Sequence, residues 1–525
     1  MTVLDSASSR VEVPDRFNVA TAFVDDNVAN GRSDRVAIYF EDQQITYGDV
    51  QRLVNKTGNM LKSLDVEMEN RVLLLLFDSP EFIYTFFGAI KIGAIPIPTS
   101  TMLKSQDYEY LLNDSRAKVL VVSDALVDQI ESVREKLKYL KHVVVVGRPE
   151  AGQLSYRELV DRASPELEVA DTTKDDAAFW LYSSGTTGYP KGVVHLHHDM
   201  IYAYECYARS ILRINESDIT FSVAKLFFAY GLGNALYYPF RAGAATVLYP
   251  GRPEPVKIFE VIDKYHPTLF FGVPTAYAKM LQVERAEEKY DLSSIRLCIS
   301  AGEALPAAVW QRWKDRFGME ILDGIGSTEI LHIFLSNRPG RVKPGSSGEL
   351  VPGYEAKIVD ESGKEVATGE VGNLLVKGDT GAAFYWNKHD KTKSTIIGEW
   401  IATGDNYYRD EDGYFWCVGR ADDMIKAGGI WVSPVEVENT IMEHPAVLEC
   451  AVVGAVDEEQ LIKPKAYIVL REGYQPSPDL AREIQVHVKG RIAPYKYPRW
   501  IEFVPELPKT ETGKIQRYKL RQPNP

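Results

Sequence analysis

From Arg71 the chain reads RVLLLLFDSPEFIYTFFGAIKIG: an unbroken apolar run, then Ser79-Pro80, then an amphipathic stretch ended by Gly93. A run without polar alternation predicts a strand buried on both faces, and Ser-Pro ahead of an amphipathic stretch predicts a helix start. The β-branched runs AKVLVVSD (117–124) and HVVVVG (142–147) repeat the strand signature, while ATVLYP (245–250) and PTLFFGVP (267–274) alternate with helical stretches such as PVKIFEVIDKY (255–265). Parallel strands joined by crossover helices follow. The Gly/Pro-rich segment 338–355 then leads into short alternating runs, YEAKIVD, GNLLVKG and YFWCVG, which predict an antiparallel, β-rich subdomain. After GRADD (419–423) the rhythm changes again, with a helix around Val435–Glu443, strands CAVVGAV and KAYIVLR, and a helix from Asp479 to about Arg491. The fold class is therefore α/β: a large N-terminal part of βα-layered sheets with a β-rich subdomain, followed by a small α+β C-terminal domain.

A length of 525 residues exceeds what one hydrophobic core sustains, so at least two domains are expected. Apolar residues make up 45% and charged residues 25%, which excludes disordered, collagenous and disulfide-scaffold classes. Lys plus Arg number 60 against 73 for Asp plus Glu, and the resulting charge of −13 repels polyanions, so nucleic acid is not an expected partner. Four well-separated cysteines, Cys206, Cys298, Cys417 and Cys450, form no CxxC pair and read as buried thiols in a reducing compartment. The start, MTVLDSASSRVEVPDR, has no apolar signal core, and the densest apolar run, Val72 to Phe77, falls far short of the roughly 20 residues of a membrane span. A cytoplasmic protein without a membrane partner is expected.

The stretch YSSGTTGYPKG (182–192) follows the apolar run AAFWLY and gathers hydroxyls, glycines and one lysine. Such a loop after a strand suits the cradling of a polyphosphate by N–H groups and hydroxyls, although Ser/Thr/Gly clusters are more often plain turns. A P-loop is excluded because Lys191 stands between Pro190 and a strand-like run, Gly-Val-Val-His. The dinucleotide fingerprint is excluded too, since Gly324-Ile-Gly326 lacks a third glycine.

Read together, SSGTTGYPKG, Ala301-Gly-Glu303, Gly326-Ser-Thr-Glu329, Thr403-Gly-Asp405, Gly419-Arg-Ala-Asp-Asp423 and Pro508-Lys-Thr-Glu-Thr-Gly-Lys514 resemble the adenylate-forming acyl-CoA synthetase superfamily, in order, over roughly residues 20–520. Within it, AKLFFAYGLGNALYYPFRAG (224–243) and STEILHIFLSNRPGRVKPGSSG (327–348) look like the benzoate–CoA ligases and their 4-hydroxybenzoate relatives. The resemblance implies two steps: acid plus ATP yields acyl-AMP and pyrophosphate, then CoA displaces AMP. It also implies an adenylation domain over 1–420, a hinge at 421–423 with Asp422 at its pivot, and a mobile domain over 424–525.

The resemblance assigns residues to each task. Ser183, Ser184, Gly185, Thr186, Thr187 and Lys191 would hold the phosphates, with Thr186 among the catalytic groups. Glu329 with Thr328 would hold Mg²⁺, a hard cation that needs few protein ligands when phosphates supply the rest. Gly302, Glu303, Ala304, Asp323, Gly324 and Ile325 would line the adenine. Asp405 would accept from the ribose hydroxyls with Arg420 beside it; without the match, Asp405 reads as a turn residue. Lys514 would stabilise the charge that develops as the carboxylate attacks. In the second pose Gly428, Gly429 and Trp431 would flank the pantetheine of CoA.

The same resemblance puts Phe228, Ala229, Tyr230, Gly326, Leu331, His332 and Ile333 around the acid. A ring-lined slot suits a flat aryl group, Gly326 leaves room for the ring plane, and an apolar end without an acceptor favours benzoate over 4-hydroxybenzoate. The pattern PKTETGK further implies a lysine acetyltransferase as a partner acting on Lys514, and family analogy allows a homodimer. Two other readings stand beside the ligase: a stand-alone adenylating enzyme that loads a carrier protein, and a non-catalytic nucleotide-binding protein.

Overall fold

The structure is a computed structural model that describes residues 11–150, 152–183, 189–420, 423–427, 430–457, 461–509 and 514–521. The run at Arg71 becomes the strand Arg71–Leu75, followed by the helix Pro80–Lys91 with extended Ser79 ahead of it. That strand sits inside a parallel sheet, between Ile95–Pro98 on one side and Val119–Ser123 on the other, with His142–Val146 and Leu154–Ser155 beyond. Its absence of polar alternation has a direct cause. Val72 and Leu74 enter one hydrophobic cluster while Leu73 and Leu75 enter another on the opposite face, all with zero exposure. Each such side chain is worth roughly 1.5–3 kcal/mol of transfer free energy, so both faces favour aliphatic residues.

Among the described residues a second, nine-stranded sheet runs in the order Glu349–Leu350, Ile333–Ser336, Ile321–Gly326, Leu297–Ser300, Leu269–Gly272, Ile219–Ser222, Ala245–Leu248, Val36–Phe40, Gln43–Thr46. Its inner pairings are parallel and its margins antiparallel. The strands Ala177–Ser183 and Lys191–Leu196 form an antiparallel pair extended by Phe384–Tyr385. The β-rich subdomain is the antiparallel set Glu355–Val359, Gly372–Lys377, Trp400–Arg409, Ile396–Ile397 and Phe415–Arg420.

The small domain pairs Val447–Val456 with Ile462–Leu470 and Trp500–Phe503, and carries the helices Pro434–Met442 and Pro478–Lys489. Both helices start with a serine cap followed by proline: Ser433 Oγ accepts from Glu436 N and Ser477 Oγ from Leu480 N, each at 3.1 Å. The small domain does not stand apart from the large one, because Val437 and Ile441 share one cluster with Trp310 and Trp313 of the helix Ala307–Phe317. Cys206, Cys298 and Cys450 are buried, but Cys417 is partly exposed, correcting the expectation of four buried thiols. No described helix is long and apolar enough to cross a membrane.

Candidate active site

Three neighbouring parallel strands, Leu269–Gly272, Leu297–Ser300 and Ile321–Gly326, end side by side, and the loops leaving them carry the motif residues. Ligands gather at such carboxyl ends because the loops there converge outside a rigid sheet. Gly302 has φ +99°, and a Cβ placed on it would meet only Val273 Cγ1, at 4.0 Å. That leaves an open backbone ledge on which a flat base could lie. Ala304 and Ile325 flank it, both partly exposed. Asp323 is buried and accepts Leu305 N at 3.1 Å through Oδ2, while Oδ1 has no partner among the described residues. Burial pushes its carboxyl up to about 8.

Gly324 and Gly326 are glycines for a different reason. A Cβ would lie 2.6 Å from the Leu335 carbonyl at Gly324 and 2.5 Å from the His332 carbonyl at Gly326, so both permit the chain to fold back on itself. This corrects the expectation that Gly326 leaves room for the acid's ring, since the backbone of His332 occupies that space.

The turn after Gly326 is a short 3₁₀ element, Thr328–Ile330, with Ser327 Oγ accepting Ile330 N at 3.2 Å. Glu329 is secured from several sides. Tyr385 donates its hydroxyl to Glu329 Oε1 at 2.8 Å, Ala382 N donates to the Glu329 carbonyl at 2.7 Å, and Thr380 donates to the Ile330 carbonyl at 2.7 Å. His195 donates through Nε2 to the Thr328 carbonyl at 2.8 Å, while its Nδ1 pairs with Asp199 at 2.8 Å, wholly buried. Leu331 has φ +68° and ψ −46°, with His332 N donating to the Ile330 carbonyl at 2.9 Å. This is a strained three-residue turn of the kind retained where function requires it.

Sequence reasoning missed Tyr385 and the His195–Asp199 pair. The i,i+4 spacing of His195 and Asp199 was a usable signal; Tyr385, 56 residues from Glu329, offered none.

Lys191 opens the strand Lys191–Leu196 opposite Ser183, and its ammonium lies 5.8 Å from the Tyr385 ring centroid. Burial lowers its pKa, and the cations Lys391, Arg420 and Lys388 lower it further, against Glu329. Among the described residues, Ser183 Oγ is buried and has no hydrogen-bond partner. Ser184, Gly185, Thr186, Thr187, Asp422, Gly428 and Gly429 lie outside the described residues; so does the side chain of Trp431, whose backbone is in the strand Ile430–Val432.

Asp405 is in the strand Trp400–Arg409, paired with Arg420, not in the turn that its Thr-Gly-Asp context suggested. Gly404 before it has φ +76°, and the register slips just after, between Asn406 and Tyr407, so the irregularity sits within a long strand. Arg420 lies 3.3 Å from the Asp405 carboxylate. Burial raises the Asp405 pKa, while Arg420 and Lys514 oppose the rise. Lys514, exposed on the C-terminal segment, therefore lies in the same electrostatic neighbourhood. The side chain of Glu303, next to the Gly302 ledge, turns to the C-terminal segment, where its Oε1 accepts Ile515 N at 2.8 Å.

Phe228, in extended backbone, is the N-cap residue of the helix Ala229–Leu232, whose Tyr230 stands beside His332. Tyr230 and His332 rings lie 5.6 Å apart, and Tyr230 donates its hydroxyl to the Gly272 carbonyl at 3.2 Å. His332 is buried among Tyr207, Tyr237 and Tyr238, with Nε2 facing the Tyr230 carbonyl at 3.3 Å and Asn234 Oδ1 at 3.2 Å. Two acceptors at Nε2 make it the protonated nitrogen, leaving Nδ1 as a buried acceptor without a partner among the described residues. The expectation of an end without an acceptor is corrected accordingly. Leu331 and Ile333, both buried, complete the turn.

Residues 25–386 match the family of AMP-binding enzymes and residues 436–514 match the AMP-binding enzyme C-terminal domain. The chain is 49% identical to a benzoate–CoA ligase of Thauera aromatica, covering 97% of each chain. It is 46% identical to a 4-hydroxybenzoate–CoA/benzoate–CoA ligase of Rhodopseudomonas palustris, over 96% of this chain and 94% of that one. Among solved structures, an anthranilate CoA ligase in complex with anthranoyl-AMP superposes with a TM-score of 0.94 at 47% identity, covering 97% of each chain.

Proposed function

The chain belongs to the AMP-binding enzymes, and from that premise we propose that benzoate is the acid it activates. The reaction is the ATP-dependent, AMP-forming ligation of an aromatic carboxylic acid to CoA. A carboxylate resists acylation chemistry because oxide is its leaving group, so the acid is first joined to AMP with loss of pyrophosphate. The CoA thiol then attacks the acyl carbonyl and AMP leaves.

Lys191 and the 183–187 loop hold the departing pyrophosphate, a positioning and charge-stabilising task. Asp405 and Arg420 receive the ribose, and the Gly302 ledge receives the base, with Asp323 Oδ1 beside it. Lys514 meets the charge that develops between the carboxylate and the α-phosphate. We assign Mg²⁺ to Glu329 and Thr328, a carboxylate and a hydroxyl suited to a hard cation. When bound, that ion would supply charge neutralisation to the phosphates, and Tyr385 orients the Glu329 carboxylate that would hold it. We place the hinge at 421–423, assign Gly428, Gly429 and Trp431 to the CoA thiol arm, and read Lys514 as an acetylation site. We also place the enzyme in the cytoplasm, where both nucleotide substrates are available.

The observation that carries the reading is the convergence of Lys191, Glu329, Asp405, Arg420 and Lys514 from five separate segments on one site. The tyrosine-walled surround of His332 supports a flat aryl acid. A second reading, 4-hydroxybenzoate, is favoured by the unpartnered His332 Nδ1, which could accept from a phenol. AMP formation with Mg-ATP and CoA across benzoate, 4-hydroxybenzoate, 2-aminobenzoate and hexanoate decides between them. The highest kcat/KM is expected for benzoate; a higher value for 4-hydroxybenzoate transfers the assignment to the second reading.

A further inference from the structure

Glu303 departs furthest from the place its motif suggested. It follows the Gly302 ledge of the large domain, yet its carboxylate accepts the backbone N–H of Ile515, 212 residues along the chain, at 2.8 Å. Ile515 adjoins Lys514 and bridges to Lys509 in antiparallel fashion, while Gln516 N donates to the Pro508 carbonyl at 2.8 Å. Lys514 is therefore placed beside an antiparallel bridge between the described segments 508–509 and 515–516.

Both bridged segments are fastened to the small domain. Lys509 pairs with Glu449 at 2.5 Å, and Arg517 meets the Glu438 carboxylate at 2.8 Å from one oxygen and 3.0 Å from the other. Those contacts lie within 424–525 and travel with the small domain when it rotates. The Glu303 contact joins the segment beginning at Lys514 to the large domain and is broken by the same rotation. Burial raises the Glu303 pKa, and the Ile515 N–H, Arg517 and Lys514 oppose the rise, so the docked tail is what favours the carboxylate form.

We propose that Glu303 is a positioning residue, the docking point that seats Lys514 for adenylation and is released for thioester formation. The proposal rests on the reading of the chain as a two-step acyl-adenylate ligase. A residue that orients a catalytic group alters rate, whereas one that lines the adenine alters ATP affinity.

Two steps measured separately on the full chain test this. Adenylation is followed as single-turnover pyrophosphate release with benzoate and no CoA; thioester formation is followed from synthetic benzoyl-AMP plus CoA. Glu303→Ala should slow adenylation about tenfold with the KM for ATP within about twofold, and leave the benzoyl-AMP step within about twofold. Glu303→Gln keeps an oxygen that accepts from Ile515 N and should recover most of the rate. Equal loss in both steps, a raised KM for ATP with unchanged adenylation rate, or no recovery with Gln overturns the proposal. Wild-type enzyme that releases no pyrophosphate with any aromatic acid overturns the ligase reading, and this proposal with it, so the two failures are told apart.

Discussion

The turn bearing Glu329 and the C-terminal segment bearing Lys514 place opposite charges at one site by opposite means. Glu329 and its neighbours are held through Tyr385, Ala382, Thr380 and the buried His195–Asp199 pair, every contact lying within the large domain. Lys514 is exposed, and the contacts that set its backbone belong partly to the small domain and partly to Glu303. A group that serves with nucleotide bound throughout gains from permanent rigidity. A group needed in only one half-reaction gains from sitting on a part that can leave, because its charge would otherwise obstruct the second step.

Removing the Lys514 charge should produce the largest effect. Lys514→Ala is expected to lower adenylation by about 10²–10³-fold, as loss of a charge-stabilising donor does, while benzoyl-AMP still converts to benzoyl-CoA at nearly the wild-type rate. Enzyme acetylated stoichiometrically at Lys514 should behave the same way, since acetylation removes the same charge. Retained adenylation in either preparation would remove Lys514 from the mechanism.

Loosening the rigid side should have a smaller effect. Tyr385→Phe removes the hydrogen bond to Glu329 and leaves the ring beside Lys191, so adenylation should fall about tenfold, consistent with a charge-assisted hydrogen bond of roughly 1.5 kcal/mol. The Mg²⁺ concentration for half-maximal rate should rise with it. An unchanged metal requirement would show that Tyr385 packs without positioning.

The smallest effect concerns stability in acid. His197 accepts Val19 N at 3.0 Å and is pushed by burial down to about 4; His332 is pushed down to about 3. Both folded values lie below the unfolded value near 6.5, so between these limits the unfolded chain binds protons that the folded one does not. Stability should therefore fall as pH drops below about 6.5, by about 1 kcal/mol per histidine at pH 5.5. Thermal melts of wild type and His197→Asn check this: the variant should lose less stability than wild type between pH 7.5 and 5.5. Parallel losses in both proteins would exonerate His197.

Much of the framework was legible in residue pattern. The Arg71 run, the Ser-Pro starts and the small domain's two serine-capped helices are local decisions, made by side-chain chemistry within a few residues. Asp405 was misread locally, because Thr-Gly-Asp describes a turn unless a partner strand is known; pairing with 415–420 made it a strand. Gly326 was misread for a related reason. Its lack of a side chain looks like space for a ligand in sequence, and only the return of the chain at His332 shows what fills that space.

Residue order alone fixes the types and succession of the chemical groups: the hydroxyl-rich stretch with Lys191, the Thr-Glu pair, the aspartate of Thr-Gly-Asp405 and the tail lysine. Periodicity and composition also determined the α/β class, because burial on one or both faces of an element is written in nearest-neighbour chemistry. Only the tertiary structure decided which groups support them. Tyr385, His195, Asp199 and Glu303 reach their partners across 56, 133, 4 and 212 residues, and three of those separations are set by sheet order and domain packing. Contacts of that range leave no period in the chain, since they depend on where two distant segments emerge from a common core.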